Sequence, residues 1–220
     1  MYQFENLKMS IQDNLLKIKS SLPSHVTLVA VSKTKPVADL METYHAGQRI
    51  FGENKIQEMT EKWEAMPKDI QWHMIGHVQT NKVKYMAEYV TLIHGVDSLK
   101  LLEEINKQAK KHNRIIDCLL QMYIAEEETK FGLDEKELEE ILNSEEFKSL
   151  KNIKVIGLMG MATFTDNQAQ IKKEFQILKS IFDKHPQLTT LSMGMSGDYQ
   201  LAIECGSTMV RIGSSIFGGR

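Results

Sequence analysis

Eight short runs of apolar and β-branched residues alternate with stretches of helical periodicity along the 220 residues, and this alternation limits the fold more than any motif does. The strand-like runs are Thr27–Ser32, Arg49–Gly52, Ile70–Ile75, Thr91–Gly95, Ile115–Tyr123, Lys154–Met159, Thr190–Met193 and Met209–Ile212. Helical spacing fills the intervals near residues 36–46, 54–66, 80–88, 98–112, 134–147, 167–185 and 197–205. Neighbouring strands joined through a helix run parallel, since a parallel pair needs a crossover. Eight such units close most simply into a (β/α)8 TIM barrel. An open doubly wound sheet is the rival fold, disfavoured because no Gly-rich dinucleotide fingerprint opens the first unit.

Upstream of the first strand, Met1, Phe4, Leu7, Ile11, Leu15, Ile18 and Leu22 recur at helical spacing, with Glu5, Lys8, Gln12, Lys17 and Lys19 between them. Residues 1–22 are expected to form an amphipathic helix packed on the barrel rather than a signal peptide. Pro36 suits the first turn of a helix. Gly47 and Gly206 suit helix stops, and Asp166 and Ser196 read as N-caps. With no linker or low-complexity tract, residues 1–220 are expected to be one domain. A net charge of −2, with Glu103 and Glu104 intermixed with Lys107, Lys110 and Lys111, argues against nucleic acid as a partner. No stretch approaches the length of a membrane span. Cys118 and Cys205 make neither a metal knuckle nor a disulfide framework, which suits a cytoplasmic protein.

The functional face of such a barrel is the C-terminal end of its strands. In Leu28-Val29-Ala30-Val31-Ser32-Lys33, alternation puts Val29, Val31 and Lys33 on one side. A lysine sent into a partly desolvated barrel mouth is an amine able to form a Schiff base with an aldehyde. Taken alone, the segment reads more simply as a surface lysine at a strand end. Lys35, in the loop before Pro36, is the weaker candidate. Strand seven leads into Met195-Ser196-Gly197-Asp198, and strand eight into Gly213-Ser214-Ser215. Small residues, hydroxyls and a helix N-terminus in these two loops match the place where barrels bind phosphate. An ordinary N-cap at Ser196 and a turn glycine at Gly213 would look the same. Arg211, between Val210 and Ile212, needs an acceptor, either a carboxylate or a cofactor's ring nitrogen. Lysine, phosphate cradle and inward arginine together match the aldehyde, phosphate and pyridine nitrogen of pyridoxal 5′-phosphate.

Asn54, which follows Phe51-Gly52-Glu53, is either a helix N-cap or a cofactor contact. His73 and His77 have the spacing of a metal pair. Four residues of strand span roughly 13 Å, too far for one ion, and zinc needs more ligands than this segment offers. No metal is expected. His94 has no evident partner and is expected to be structural. Met159, Met161, Met193 and Met195 recur near strand ends and are expected in the core or as a soft wall around a ligand.

Seven stretches carry a family resemblance: Val29–Pro36 (VAVSKTKP), Phe51–Glu58 (FGENKIQE), Trp72–Lys82 (WHMIGHVQTNK), Leu119–Gly132 (LLQMYIAEEETKFG), Gly157–Met161 (GLMGM), Leu191–Asp198 (LSMGMSGD) and Gly206–Arg220 (GSTMVRIGSSIFGGR). Running in order through nearly the whole chain, they resemble the pyridoxal phosphate homeostasis protein family, whose fold is the alanine racemase-type N-terminal barrel. The resemblance implies that Lys33 carries the cofactor as an internal aldimine. It implies that Ser196, Gly213 and Ser214 bind phosphate, that Arg211 lies near the pyridine nitrogen, and that Asn54 faces the cofactor. Lys55-Ile56 stands where the family usually has Tyr-Val, His77-Val78 where Pro-Leu or a similar pair is common, and Met122-Tyr123 departs from the fifth-strand motif. None of these departures removes an assigned residue.

The resemblance implies a protein that holds pyridoxal 5′-phosphate as a reversible Schiff base for intracellular cofactor homeostasis, without turnover, and a monomer is expected because no sizeable exposed apolar stripe is evident in the sequence. Apo pyridoxal phosphate-dependent enzymes would be its recipients. The alternative is a pyridoxal phosphate-dependent racemase or decarboxylase. The related racemases take their second acid/base from a tyrosine in an additional domain of the neighbouring subunit. This sequence ends at Arg220, directly after the eighth strand, and is expected to lack that group.

Overall fold

The computed structural model describes residues 9–128 and 131–219. Eight parallel strands form the sheet: β1 (Thr27–Val31), β2 (Ile50–Glu53), β3 (Gln71–Met74), β4 (Leu92–Val96), β5 (Ile116–Gln121), β6 (Ile153–Met159), β7 (Thr190–Met195) and β8 (Met209–Ile212). They pair in sequence order, and β8 returns to β1, so the sheet is a closed barrel. Each strand boundary lies within about two residues of the expected one. The fold is the expected (β/α)8 barrel.

Helices α1 (Ile11–Ser21), α2 (Val37–His45), α3 (Ile56–Ala65), α4 (Leu99–Lys111), α5 (Glu135–Asn143), α6 (Glu145–Ser149), α7 (Gln168–Asp183), α8 (Tyr199–Glu204) and α9 (Ser214–Phe217) surround it. Two expected helices differ. Residues 80–88 form a 3-10 helix over Thr80–Tyr85 in which only Val83 is buried, too narrow an apolar face to hold an α-helix against the barrel. The segment 134–147 breaks at Ser144, whose Oγ accepts from the Phe147 N–H at 3.2 Å and starts α6. The N-cap of α7 is Asn167, not Asp166. Its Oδ1 accepts from the Gln170 N–H at 3.2 Å.

α1 begins with a reciprocal capping box between Ser10 and Asp13 and buries Leu15 and Ile18. It packs on α2 and α9 and so covers the seam where β1 meets β8. Asn14 Nδ2 donates to the Ile216 carbonyl at 3.1 Å across that seam. Residues 1–8 of the expected N-terminal helix lie outside the described residues.

Side-chain alternation along the strands makes two cores. Val29, Leu92, Leu119, Met159 and Met209 fill the barrel. Leu28, Phe51, Trp72, Ile93, Leu120 and Val210 point outward and join Leu102, Ile105, Phe175 and Leu178 of the helices. Full burial of each such side chain contributes about 1.5–3 kcal/mol. A register shift between β5 and β6 skips Ile156, and on the other side of β6 Gly157 pairs with Thr190 of β7. A Cβ at Gly157 would lie 1.7 Å from the Thr190 carbonyl oxygen, so only glycine fits. Among the described residues no helix is long and apolar enough to cross a membrane.

Candidate functional site

The mouth is built where β7, β8 and β1 run side by side. Val29 pairs with Arg211 and Ala30 with Ile212, which brings Gly213 next to Val31. A Cβ on Gly213 would come within 3.1 Å of the Val31 carbonyl oxygen. Lys33 lies two residues further along, half-buried. Its amine has no hydrogen bond or ion pair among the described residues. Lys35, by contrast, is tied down: Nζ donates to the Gly218 and Gly219 carbonyls at 3.2 and 3.3 Å.

Ser196 and Gly213 meet, as their places in the two loops predict. Ser196 Oγ accepts from the Gly213 N–H at 3.2 Å and the Ser215 N–H at 3.4 Å. Two backbone donors, one from the N-cap and one from the first turn of α9, thus converge on one oxygen, and Ser214 opens α9 between them. Ser196 is not the N-cap of α8. Asp198 holds that position without a capping bond, because its Oδ1 instead accepts from the Met195 N–H at 2.7 Å and closes the turn after β7.

Arg211 is only 3% exposed. Its acceptors are not carboxylates: Nη1 donates to Ser192 Oγ, and Nη2 donates to the Gly160 carbonyl at 3.1 Å. Burial pulls the guanidinium down to about 10, so it stays a cation at neutral pH. Ser192 Oγ is 3.0 Å from His94 Nδ1, and His94 Nε2 is 2.9 Å from His73 Nδ1. His94, read from sequence as lacking a partner, is therefore the middle of a buried chain that crosses the barrel from β3 to β8. Two proton assignments satisfy every link: with Arg211 donating to Ser192 Oγ, either that hydroxyl donates to His94 Nδ1 and His94 Nε2–H donates to His73, or His73 Nδ1–H donates to His94 Nε2 and His94 Nδ1–H donates to the Ser192 oxygen. Both rings are then neutral. Burial pulls His73 down to about 3, and burial, His73 and Arg211 lower His94.

Extending the β1–β2 register from Val31 and Gly52 sets Lys33 beside Asn54 at the opposite rim. Asn54 is not an N-cap, since Lys55 precedes the first turn of α3. Its backbone packs on Gly76, where a Cβ would meet the Asn54 carbonyl at 2.5 Å. From Asn54 an open cavity of about 560 Å³ runs between α3 and the 3-10 helix, past Thr60, His77, Lys82 and Tyr85. His77 stacks on Phe131 with centroids 4.4 Å apart, well away from the buried His73. The two histidines do not form a pair.

Three residues unmarked by sequence analysis stand beneath Lys33. Lys62 of α3 is buried and bonds Glu53 and Glu58. Burial pushes the Glu53 carboxyl up, opposed by its bonds to Lys62 and Ser32. The i,i+4 spacing of Glu58 and Lys62 was the one available signal, and on a surface helix that spacing denotes an ordinary solvated pair.

The family model of the alanine racemase N-terminal domain matches residues 8–220. A pyridoxal phosphate homeostasis protein of Aquifex aeolicus is 41% identical over 199 residues, covering 88% of this chain and 86% of that one. PipY of Synechococcus elongatus, solved without pyridoxal phosphate, superposes with a TM-score of 0.88 at 35% identity, over 95% of this chain and 100% of its own. The same protein solved with pyridoxal phosphate bound superposes with a TM-score of 0.86 over the same shares.

Proposed function

The chain belongs to the alanine racemase N-terminal domain family as one of its pyridoxal phosphate homeostasis proteins, and from that premise we propose that it binds pyridoxal 5′-phosphate as a reversible Schiff base on Lys33 and keeps it in store for other proteins. The carrying observation is the Lys33 amine, which has no partner among the described residues while the amines of Lys35 and Lys62 are both engaged. Bound, the cofactor supplies an electrophilic aldehyde and an electron-withdrawing ring. Lys33 adds its amine to the aldehyde carbon, a C=N bond replaces C=O, and one water leaves. Water or a second amine reverses the step.

The residues present fit the rest of the cofactor. Ser196, Gly213 and Ser214 hold the phosphate, and two N–H groups already converge on one oxygen there. Asn54 borders the ring from the far rim. Arg211, a donor with no acceptor capacity, faces the ring nitrogen and keeps it unprotonated. That weakens the ring as an electron sink and favours holding over turnover. We extend the proposal to a monomer in the cytoplasm, with residues 1–220 acting as one unit and apo-enzymes as recipients.

Incubation with pyridoxal 5′-phosphate, borohydride reduction and peptide mapping test this. One cofactor mass should appear on Lys33 and be lost in Lys33→Ala. Label on a different lysine refutes the assignment. Amino acids added to the loaded protein should keep their enantiomeric ratio by chiral chromatography; racemisation would establish the alternative enzyme.

A further inference from the structure

We propose that Glu58 and Lys62 of α3, with Glu53 of β2, form a clamp that positions Lys33 by gripping the peptide groups on both sides of it from outside the barrel. This rests on Lys33 being the cofactor lysine. The carbonyl before it, that of Ser32, accepts from Lys62 Nζ at 2.7 Å. The N–H after it, that of Thr34, donates to Glu58 Oε1 at 2.6 Å. The same Glu58 oxygen accepts from Lys62 at 2.8 Å, and Glu53 Oε1 accepts from Lys62 at 2.6 Å. All three ammonium donors are thereby used. Ser32 Oγ donates to Glu53 Oε1 at 2.7 Å, which fixes the residue that follows β1 to the same cluster.

Two features separate this from an ordinary stabilising ion pair. First, Thr34 has a φ of +64°, a conformation that a β-branched residue adopts only when its surroundings impose it. Its N–H is held by Glu58 in that conformation, so the bend that turns the chain after Lys33 is imposed by α3. Second, Lys62 is 5% exposed and Glu53 fully buried, with Glu53 Oε2 lacking a partner among the described residues. A buried charge cluster is a poor source of net stability compared with apolar side chains of the same volume. What apolar side chains cannot do is offer one donor and one acceptor to the two peptides flanking a single residue. The cluster spends its charges on that pair, and Lys33 itself is left with a free amine on a fixed backbone.

The test uses the full chain, free pyridoxal 5′-phosphate and three proteins. Glu58→Ala removes the acceptor for Thr34 on a partly exposed helix position that alanine suits. Glu58→Gln keeps a neutral acceptor there. Glu58→Ala should slow cofactor capture at Lys33, followed by its visible absorption, at least tenfold, and should speed amide exchange at Thr34 by a similar factor. Glu58→Gln should stay within about threefold of the parent in both, a rescue that thermal stability alone would not predict. If Glu58→Ala captures cofactor at the parent rate with an unchanged absorption spectrum, the clamp has no positioning role, whatever its melting temperature. A parent protein that takes no label at Lys33 sinks the cofactor assignment itself, and this inference with it. Label in the parent with unchanged kinetics in Glu58→Ala sinks the inference alone.

Discussion

Three lysines surround the end of β1, and their partners decide what each can do. Lys62 spends its charge on two carboxylates and a carbonyl, Lys35 caps two carbonyls near the C-terminus, and the amine of Lys33 has no partner among the described residues. The buried histidines carry a pH consequence. In the unfolded chain each protonates near 6.5, whereas folded His73 does so only near 3. Between these values the unfolded state binds more protons, so stability is lost as pH falls below 6.5 at up to roughly 1.4 kcal/mol per pH unit for that residue. His94, lowered in the same direction, adds to the loss. Urea midpoints at pH 7 and pH 5 should therefore fall more for the parent than for His73→Asn, and equal falls would assign the acid sensitivity elsewhere. Arg211→Glu gives the ring nitrogen an acceptor and should shift the visible absorption of the bound cofactor. An unchanged spectrum and affinity would remove Arg211 from the site. The places of Lys33, Arg211, Ser196 and Gly213 on or just after β1, β7 and β8 were legible because strand alternation and the βα loop positions give them without tertiary information. Lys62, Glu53 and His94 were not, since a helix-borne i,i+4 pair and a strand histidine acquire partners only when distant strands close around them.

At the scale of elements, the βα alternation was readable because period-2 and period-3.6 patterns differ over even a few residues. The 3-10 helix and the break at Ser144 were not, since both depend on how little apolar surface each short segment meets on the barrel. The β5–β6 irregularity was equally hidden. On the far side of β6, Gly157 lies against the Thr190 carbonyl, so Gly157→Ala must part β6 from β7. Such overpacking costs about 1–3 kcal/mol or somewhat more. For a chain of this size each kcal/mol lowers Tm by roughly 2–4 °C. A thermal scan should show a fall of this order, and a variant melting with the parent would mean that the β6–β7 pairing is misplaced.

At the scale of the whole molecule, α1 and α9, the first and last helices among the described residues, meet at the barrel's closing seam. α1 lies over it with Leu15 fully buried, and Asn14 bonds the Ile216 carbonyl of α9. Leu15→Ala should cost about 2–5 kcal/mol, visible as a lowered urea midpoint with unchanged slope. A neutral result would show that α1 does not seal the seam. The filled interior has a further consequence for traffic. Apolar side chains and the histidine chain plug the barrel from wall to wall. Under the proposed function, a cofactor that entered beside Lys33 would leave by the door it came through, and loading and unloading would share a single queue. Under the same function, a recipient that merely waited in solution would be filled no faster than Lys33 let go, and one that touched the doorway would outrun that clock.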